Sequence, residues 1–320
     1  MSVQLSVQDL KKYFETPSGL LHAVDGVTFS IDEGQTLGVV GESGCGKSTL
    51  GRVILHLLSP TAGRIVFEGE DISSPSKARL HTLCRNMQMI FQDPFSSIDP
   101  RMNVAQLLGE PLLVHKMYKE KAEYRRKIKE IMDIVGLASR FENAYPHELD
   151  GGRRQRIGIG RALILRPKFI VCDEPVSALD MSIQAQILNL MQDLQKEFGL
   201  TYLFITHDLS VVRHISNNIM VMYLGVVVEK TEVKALFKKQ YHPYTQALLS
   251  AIPRIQVGHK TDRIILRSEI SSPIEPKDAC RFAPRCNYVR EICHQSRPEL
   301  VEESPGHFVA CHLAKELNLR

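Results

Sequence analysis

The segment Gly41-Glu42-Ser43-Gly44-Cys45-Gly46-Lys47-Ser48 fits G-x-x-x-x-G-K-[ST], the residue pattern of a loop that cradles phosphate. Its glycines let successive backbone N–H groups turn onto phosphate oxygens, and a helix starting behind it adds its positive end. Lys47 would neutralise β- and γ-phosphate charge, and the Ser48 hydroxyl would bind Mg2+. A second run, Phe169-Ile170-Val171-Cys172-Asp173-Glu174, ends in two carboxylates. Asp173 suits the Mg2+ shell and Glu174 suits the polarising of an attacking water. Gln92, after Met89-Ile90-Phe91, and His207, after an apolar run ending at Thr206, fall where a γ-phosphate sensor could sit. Taken singly, these residues read as a glycine turn, capping carboxylates and a structural histidine. Their joint occurrence points to nucleotide hydrolysis.

The elements that must position them follow from periodicity. Residues 5–10 and 23–31 partly alternate apolar and polar, predicting a short antiparallel β region with a turn at Pro17-Ser18-Gly19. Residues 36–40 read as a buried strand, and Leu50, Val53, Ile54, Leu57 and Leu58 recur at helical spacing. The phosphate loop therefore lies between strand and helix. Residues 102–165 read as a mainly helical insertion. Strand-like runs return at 169–172 and 201–206, separated by a helix over 182–198 that Gly199 terminates. Two more strand-like runs, 219–224 and 226–229, precede a helix over 231–239 and one that Pro243 opens and that runs to 250. Strands alternating with helices imply a parallel sheet with helices packed on it. Residues 253–279, polar and Pro-containing, read as a linker or loosely folded arm.

In 320 residues, 43% are hydrophobic and 24% charged, a balance that excludes a disordered or collagen-like chain. The net charge of +4 is too weak to argue for nucleic acid by itself. No run approaches the ~18–20 apolar residues that cross a bilayer, and Met1-Ser2-Val3-Gln4 lacks a signal-peptide pattern. A cytosolic protein, able to sit on a membrane partner, is expected.

Of seven cysteines, Cys280, Cys286, Cys293 and Cys311 crowd into the C-terminal stretch, spaced x5, x6 and x17. An odd count without a secretion signal speaks for reduced thiols and a metal site. The gaps suit the close C-x2–4-C pairs of zinc sites poorly, whereas four thiolates satisfy a [4Fe–4S] cluster. Zinc and unligated thiols are the alternatives.

Taken in order, these residues resemble the nucleotide-binding subunit of an ATP-binding cassette (ABC) transporter over nearly the whole chain. Gly41 to Ser48, with Thr49, resembles the Walker A loop and Gln92 the Q-loop residue, which senses Mg2+. Leu149-Asp150-Gly151-Gly152-Arg153-Arg154-Gln155-Arg156 resembles the signature motif. Asp173 ends a Walker B strand with catalytic Glu174, Ser177-Ala178-Leu179-Asp180 resembles the D-loop, and His207 the switch histidine. The aromatic that stacks on adenine is Phe14 in the family register, with Tyr13 as the alternative. Three stretches resemble the oligopeptide/dipeptide import branch: Walker A itself, Phe91-Gln92-Asp93-Pro94-Phe95-Ser96-Ser97, and Tyr241-His242-Pro243-Tyr244-Thr245-Gln246-Ala247-Leu248-Leu249 leading to the cysteine tail. In that branch the tail has been assigned a [4Fe–4S] cluster.

The resemblance implies an α/β P-loop NTPase of the ABC type, with a mixed sheet core, an antiparallel β subdomain and a helical subdomain at about 102–165. The cassette would span 1–252, and 253–320 would be a small cysteine-ligated extension. It further implies an ATPase using ATP and Mg2+ at the cytoplasmic face of the cell membrane. Its partners would be two transmembrane permease subunits, a second, non-identical ATPase subunit and, indirectly, an extracytoplasmic peptide-binding protein. Two ATP molecules would lie between one chain's Walker A loop and the other's signature motif. The competing reading is a soluble cassette ATPase acting on nucleic acid or ribosomes with a zinc-binding tail; one Walker A loop, no Trp and no Lys/Arg stripe disfavour it. An ATP-binding regulator without turnover is disfavoured by Glu174 and His207.

One residue departs from the family pattern. The signature normally opens Leu-Ser-Gly-Gly, the Ser hydroxyl bonding γ-phosphate, and here the second position is Asp150. Aspartate still caps the following helix well. It loses a charge-assisted bond worth ~1.5–3 kcal/mol and adds repulsion of ~4 kcal/mol at 4 Å and an effective dielectric of 20, relieved in part by protonation or by Arg153 or Arg154. An asymmetric transporter is expected, in which the site borrowing Asp150 is degenerate.

Overall fold

The computed structural model describes residues 2–93, 97–252, 264–266 and 272–317. Pro94, Phe95 and Ser96 of the Gln92 loop, and most of the 253–279 arm, lie outside them. The chain divides into two compact units. Met1–Gln4, Asp32–Gln35 and Ser74–Phe204 form the first; Leu5–Ile31, Thr36–Ser73 and Ile205–Arg320 form the second.

In the second unit, β1 (Val3–Thr16), β2 (Gly19–Asp32), β4 (Ala62–Phe67) and β5 (Glu70–Asp71) make a four-stranded sheet in the order β2-β1-β4-β5. This is the expected antiparallel β region. Alternation of Val27, Phe29 and Ile31 inward with Thr28 and Ser30 outward gives β2 one buried face. β1 alternates only in part because its pairing with β4 shifts between Gln8 and Lys11, where Asp9 has φ 45°. Such a bulge changes the inward phase by one residue and carries Leu10 to the inside.

β3 (Thr36–Val40), buried at every position, pairs parallel with β9 (Asn218–Tyr223), Val40 opposite Val221. β9 turns through Leu224-Gly225, both at positive φ, into antiparallel β10 (Val226–Glu232), as a two-residue hairpin requires. β10 then pairs with β12 (His307–Val309), and β12 with β11 (Val301–Ser304), both antiparallel. The sheet is therefore mixed, as the fold class anticipated, rather than wholly parallel as the alternation of elements alone implied. The C-terminal residues also contribute two strands for which the sequence carried no reading. Helix α1 (Lys47–Ile54) follows the phosphate loop, and α7 (Leu209–Ile215), α8 (Val233–Lys238) and α9 (Pro243–Ser250) complete the main helices. The helix expected over 231–239 starts late, because Thr231 and Glu232 extend β10 opposite Ile219 and Asn218.

In the first unit, β6 (Met87–Ile90) pairs parallel with β7 (Phe169–Asp173), and β8 (Thr201–Ile205) lies beside β7. Around them fold α2 (Lys77–Asn86), α3 (Val104–Val114), α4 (Lys121–Ile134), α5 (Gly151–Leu163) and α6 (Met181–Phe198). The helical insertion is as expected. Leu107, Leu108, Leu112, Ile128, Ile131, Ile157 and Leu163 recur at helical spacing and are buried, and α5 packs on α3, α4 and α6. Asn103 and Gln106 cap α3 reciprocally, each side chain accepting the other's backbone N–H at 2.9 Å. Gly199, at φ 63°, ends α6.

Candidate functional site

In the second unit the phosphate loop leaves the end of β3 and enters α1. Two of its glycines have no room for a side chain. A Cβ on Gly41 (φ 154°) would lie 2.2 Å from the Met222 carbonyl oxygen, and one on Gly46 (φ 100°) 2.0 Å from that of Ala23. A Cβ on Gly44 meets nothing within 4 Å, so the middle of the loop faces open space. Gly46 caps α1 without a side chain, so no side-chain oxygen claims the helix's first N–H groups, which suits an anion. Lys47 is 5% exposed; its Nζ donates to the carbonyls of Gly41 (2.7 Å) and Glu42 (3.0 Å) and lies 3.7 Å from Cys45 Sγ. Burial pushes the Cys45 thiol up, against the pull of Lys47. The loop therefore carries a neutral thiol beside its ammonium. Ser43 is exposed and Ser48 and Thr49 are half-buried at the helix start.

The aromatic candidates differ in what already holds them. Tyr13 donates its hydroxyl to Asp25 at 2.6 Å and stacks on His22 at 3.9 Å. Burial and that bond raise the phenol, so it stays neutral. Burial works against ionisation of Asp25, yet Tyr13, Arg281 and Arg297 outweigh it and hold the carboxyl below its ordinary value. Phe14 makes no ring stack among the described contacts and carries the Lys12 ammonium 4.9 Å from its centroid. His207 is exposed between β8 and α7, next to Asp208, which caps α7 through Ser210 N–H at 2.7 Å.

The loop is held from behind by residues that the sequence did not single out for this purpose. The Glu42 backbone N–H donates to the Tyr244 hydroxyl at 2.9 Å, and both Glu42 carboxylate oxygens accept from Arg285, at 2.6 and 3.1 Å. Tyr244 belongs to the Tyr-His-Pro-Tyr stretch and Arg285 lies between two of the tail cysteines. No local spacing announces contacts across 202 and 243 residues.

In the first unit, Asp173 is 2% exposed at the end of β7, and Glu174 follows it at φ 47°. Because β6 and β7 run parallel with Ile90 opposite Cys172, Gln92 and Glu174 leave the same edge of the sheet, where open α/β sheets bind ligands. The Gln92 amide donates to Glu174 Oε2 at 3.0 Å. Asp180 is used in capping α6: the N–H groups of Ile183 (3.0 Å) and Ser182 (3.1 Å) hold its carboxyl below the ordinary value.

Asp150 caps α5 as anticipated. One oxygen accepts Arg153 N–H at 2.8 Å and the other pairs with the Arg153 guanidinium at 2.6 Å. Arg154 turns instead to the Pro146 carbonyl, 2.7 Å away. Gly151 and Gly152 permit close approach: Cβ atoms there would lie 3.1 Å from Leu179 and 2.8 Å from Ile183.

The expected iron–sulfur site finds no support in the structure: among the described residues no group of three or more His, Cys, Asp or Glu is arranged to hold a metal ion. The thiols share one region, with Cys280 N–H bonded to the Cys293 carbonyl at 2.9 Å. Burial, then the neighbouring thiols, push Cys280 up to about 11, and Cys311 is pushed up to about 12. Cys280 and Cys286 pack against a core containing Tyr223, Tyr244 and Phe282. Neutral thiols in an apolar setting behave as small core residues.

Comparison with known proteins follows the same outline. Residues 24–177 match the family model described as ABC transporter, and residues 228–293 that described as oligopeptide/dipeptide transporter, C-terminal region. The chain is 52% identical over 319 residues to the oligopeptide transport ATP-binding protein AppF of Bacillus subtilis, covering 97% of each. It is 45% identical to the dipeptide transport ATP-binding protein DppF of Haemophilus influenzae, over 96% of this chain and 95% of that protein. Among solved structures, cbiO1 of Clostridium perfringens, part of the ABC transporter complex cbiONQ, aligns at TM-score 0.67 and 28% identity over 75% of this chain and 92% of its own. The dimeric cassette MJ0796, bound to ADP and Pi after hydrolysis, aligns at 0.66 and 27% over 72% and 98%.

Proposed function

This chain belongs to the ATP-binding subunits of oligopeptide- and dipeptide-type ABC transporters, and from that premise we propose that it hydrolyses ATP to power import of di- or oligopeptides. It would work at the cytoplasmic face of the cell membrane, bound to two permease subunits and paired with a second, non-identical ATPase subunit. Among the described residues no helix is long and apolar enough to cross a membrane, so the pore would come from the permeases.

The observation that carries turnover is the Gln92–Glu174 hydrogen bond of 3.0 Å, which fixes a general base beside an amide that can report on the phosphate end. Glu174 takes the proton of the attacking water, and Gln92 holds the carboxylate in place. Lys47 offsets the charge of the phosphates, the loop N–H groups hold their oxygens, and His207 contacts the γ-phosphate. The Ser48 hydroxyl, the Asp173 carboxylate and the Gln92 amide are oxygen donors of the kind Mg2+ takes; when bound, the ion neutralises charge on the transferred phosphoryl group. Phe14 is the adenine contact, because the face and hydroxyl of Tyr13 are already engaged. Asp180 shapes the D-loop by capping α6. Domain roles follow the same reading: a cassette over 1–252, a helical subdomain at about 102–165, and an extension over 253–320 whose cysteines serve as packing thiols.

Asp150 makes the signature of this chain weak. Its carboxylate is satisfied by Arg153, leaving N–H groups of the first turn of α5 as the phosphate donors. Reconstitution in proteoliposomes with the neighbouring permeases tests the whole reading. Peptide-stimulated ATP turnover supports it. Turnover indifferent to permeases and stimulated by nucleic acid would favour the soluble cassette ATPase instead.

A further inference from the structure

The Arg285–Glu42 pair does something that neither an ATP site nor a transport role requires. Glu42 is the second residue of the phosphate loop, and its carboxylate is a negative charge carried by a loop built to receive negative charge. Arg285 neutralises it through two bonds, at 2.6 and 3.1 Å, in the fork geometry that gives guanidinium–carboxylate pairs their strength. The Glu42 side chain is one-quarter exposed and that of Arg285 8% exposed, so solvent screens the pair little.

The arginine is placed with care. It ends a single helical turn, Ala283–Arg285, whose N–H groups bond back to Cys280 and Phe282 at 3.0 and 2.9 Å. Phe282 is buried against Tyr223 (5.3 Å) and Tyr244 (5.5 Å), and the Arg285 guanidinium lies 5.9 Å from the Tyr223 ring. Tyr244 in turn takes the Glu42 N–H. The backbone N–H and the carboxylate of Glu42 are thus satisfied by the C-terminal part of the chain.

We propose that Arg285 is a positioning residue of the ATP site: it orients Glu42 and cancels its charge, so the C-terminal extension sets the affinity of the phosphate loop for a nucleoside triphosphate. The inference rests on the nucleotide site assigned above. Arg285 acts through Glu42 and makes no phosphate contact of its own.

The two ends of the pair make opposite predictions. In R285Q the Glu42 carboxylate is left uncompensated beside the bound phosphates, and KM and Kd for ATP·Mg2+ rise on the order of tenfold while kcat changes less. The rise shrinks with added salt, because the repulsion is Coulombic. In E42Q the arginine's charge is freed towards the phosphates, and KM falls or stays. The E42Q/R285Q double variant returns KM towards the wild-type value, and R285K lies between. Steady-state ATPase kinetics and equilibrium nucleotide binding on the full chain read all four, with thermal unfolding to confirm folding. If R285Q does not fold, E42Q carries the test, since a rise of KM in it overturns the proposal. Shifts of the same sign from both ends, or a double variant worse than either single, also overturn it and leave the ATP site intact. A wild-type chain that binds no ATP·Mg2+ would overturn the site assignment and this proposal with it.

Discussion

Lowering the pH should loosen the start of α9 through one histidine. His242 is 1% exposed and caps α9, its Nδ1 accepting the Tyr244 N–H at 3.1 Å. Burial, opposed by the Glu229 carboxylate, takes its pKa from 6.5 down to about 4. The folded state therefore holds His242 neutral in a range where the unfolded chain has already bound a proton. Stability falls as pH drops through that window, from about 6.5 to about 4, and is unaffected above it. Between pH 7.5 and pH 5 the two pKa values give a loss of about 2 kcal/mol from this group alone. The comparison is His242→Asn, whose side-chain oxygen can take the same N–H and does not titrate. Urea unfolding at both pH values reads the difference. Wild type should lose about 2 kcal/mol more than the variant. Equal losses would refute the reasoning. Because Tyr244 anchors Glu42, KM for ATP should also rise towards acid pH in wild type more than in the variant.

Three substitutions test the two halves of the site. Gly46→Ala combines a left-handed backbone, costing roughly 1–3 kcal/mol, with a Cβ 2.0 Å from the Ala23 oxygen; equilibrium titration should show nucleotide binding lost. Glu174→Gln should cut ATP turnover roughly 10²–10⁴-fold while binding, measured in the same preparation, is retained. Asp150→Ser keeps the helix cap and restores a hydroxyl to the signature, so turnover or nucleotide affinity in the assembled transporter should rise; no change in either would sink the degenerate-site reading.

The chemistry was more legible in the sequence than the scaffold. The phosphate loop was readable because its function demands glycines where a Cβ would strike backbone, as at Gly41 and Gly46. The Asp150 cap and the Gly199 stop were readable because caps are local. The bulge at Asp9 was not, since a register shift is settled by the partner strand β4. Nor were β11 and β12, short strands whose pairing with β10 supplies what their own residues do not. The cysteine reading found no structural support for a different reason. Spacing reports where thiols lie along the chain, and buried neutral thiols can cluster as readily as metal ligands do. Arg285 gave no local signal because its contact is with the opposite end of the sequence.

The length of that last span has a consequence in time. Glu42 and Arg285 are 243 residues apart, and ribosomes add ~5–20 residues per second. The loop is made roughly 12–50 s before the arginine that braces it is even synthesised. A growing chain could therefore close its β3–loop–α1 segment early, yet its phosphate loop would wait for the brace until residue 285 is added. Nascent chains released before residue 285 should carry a loop with an unbalanced Glu42, so full ATP affinity becomes a property only of chains long enough to include the arginine.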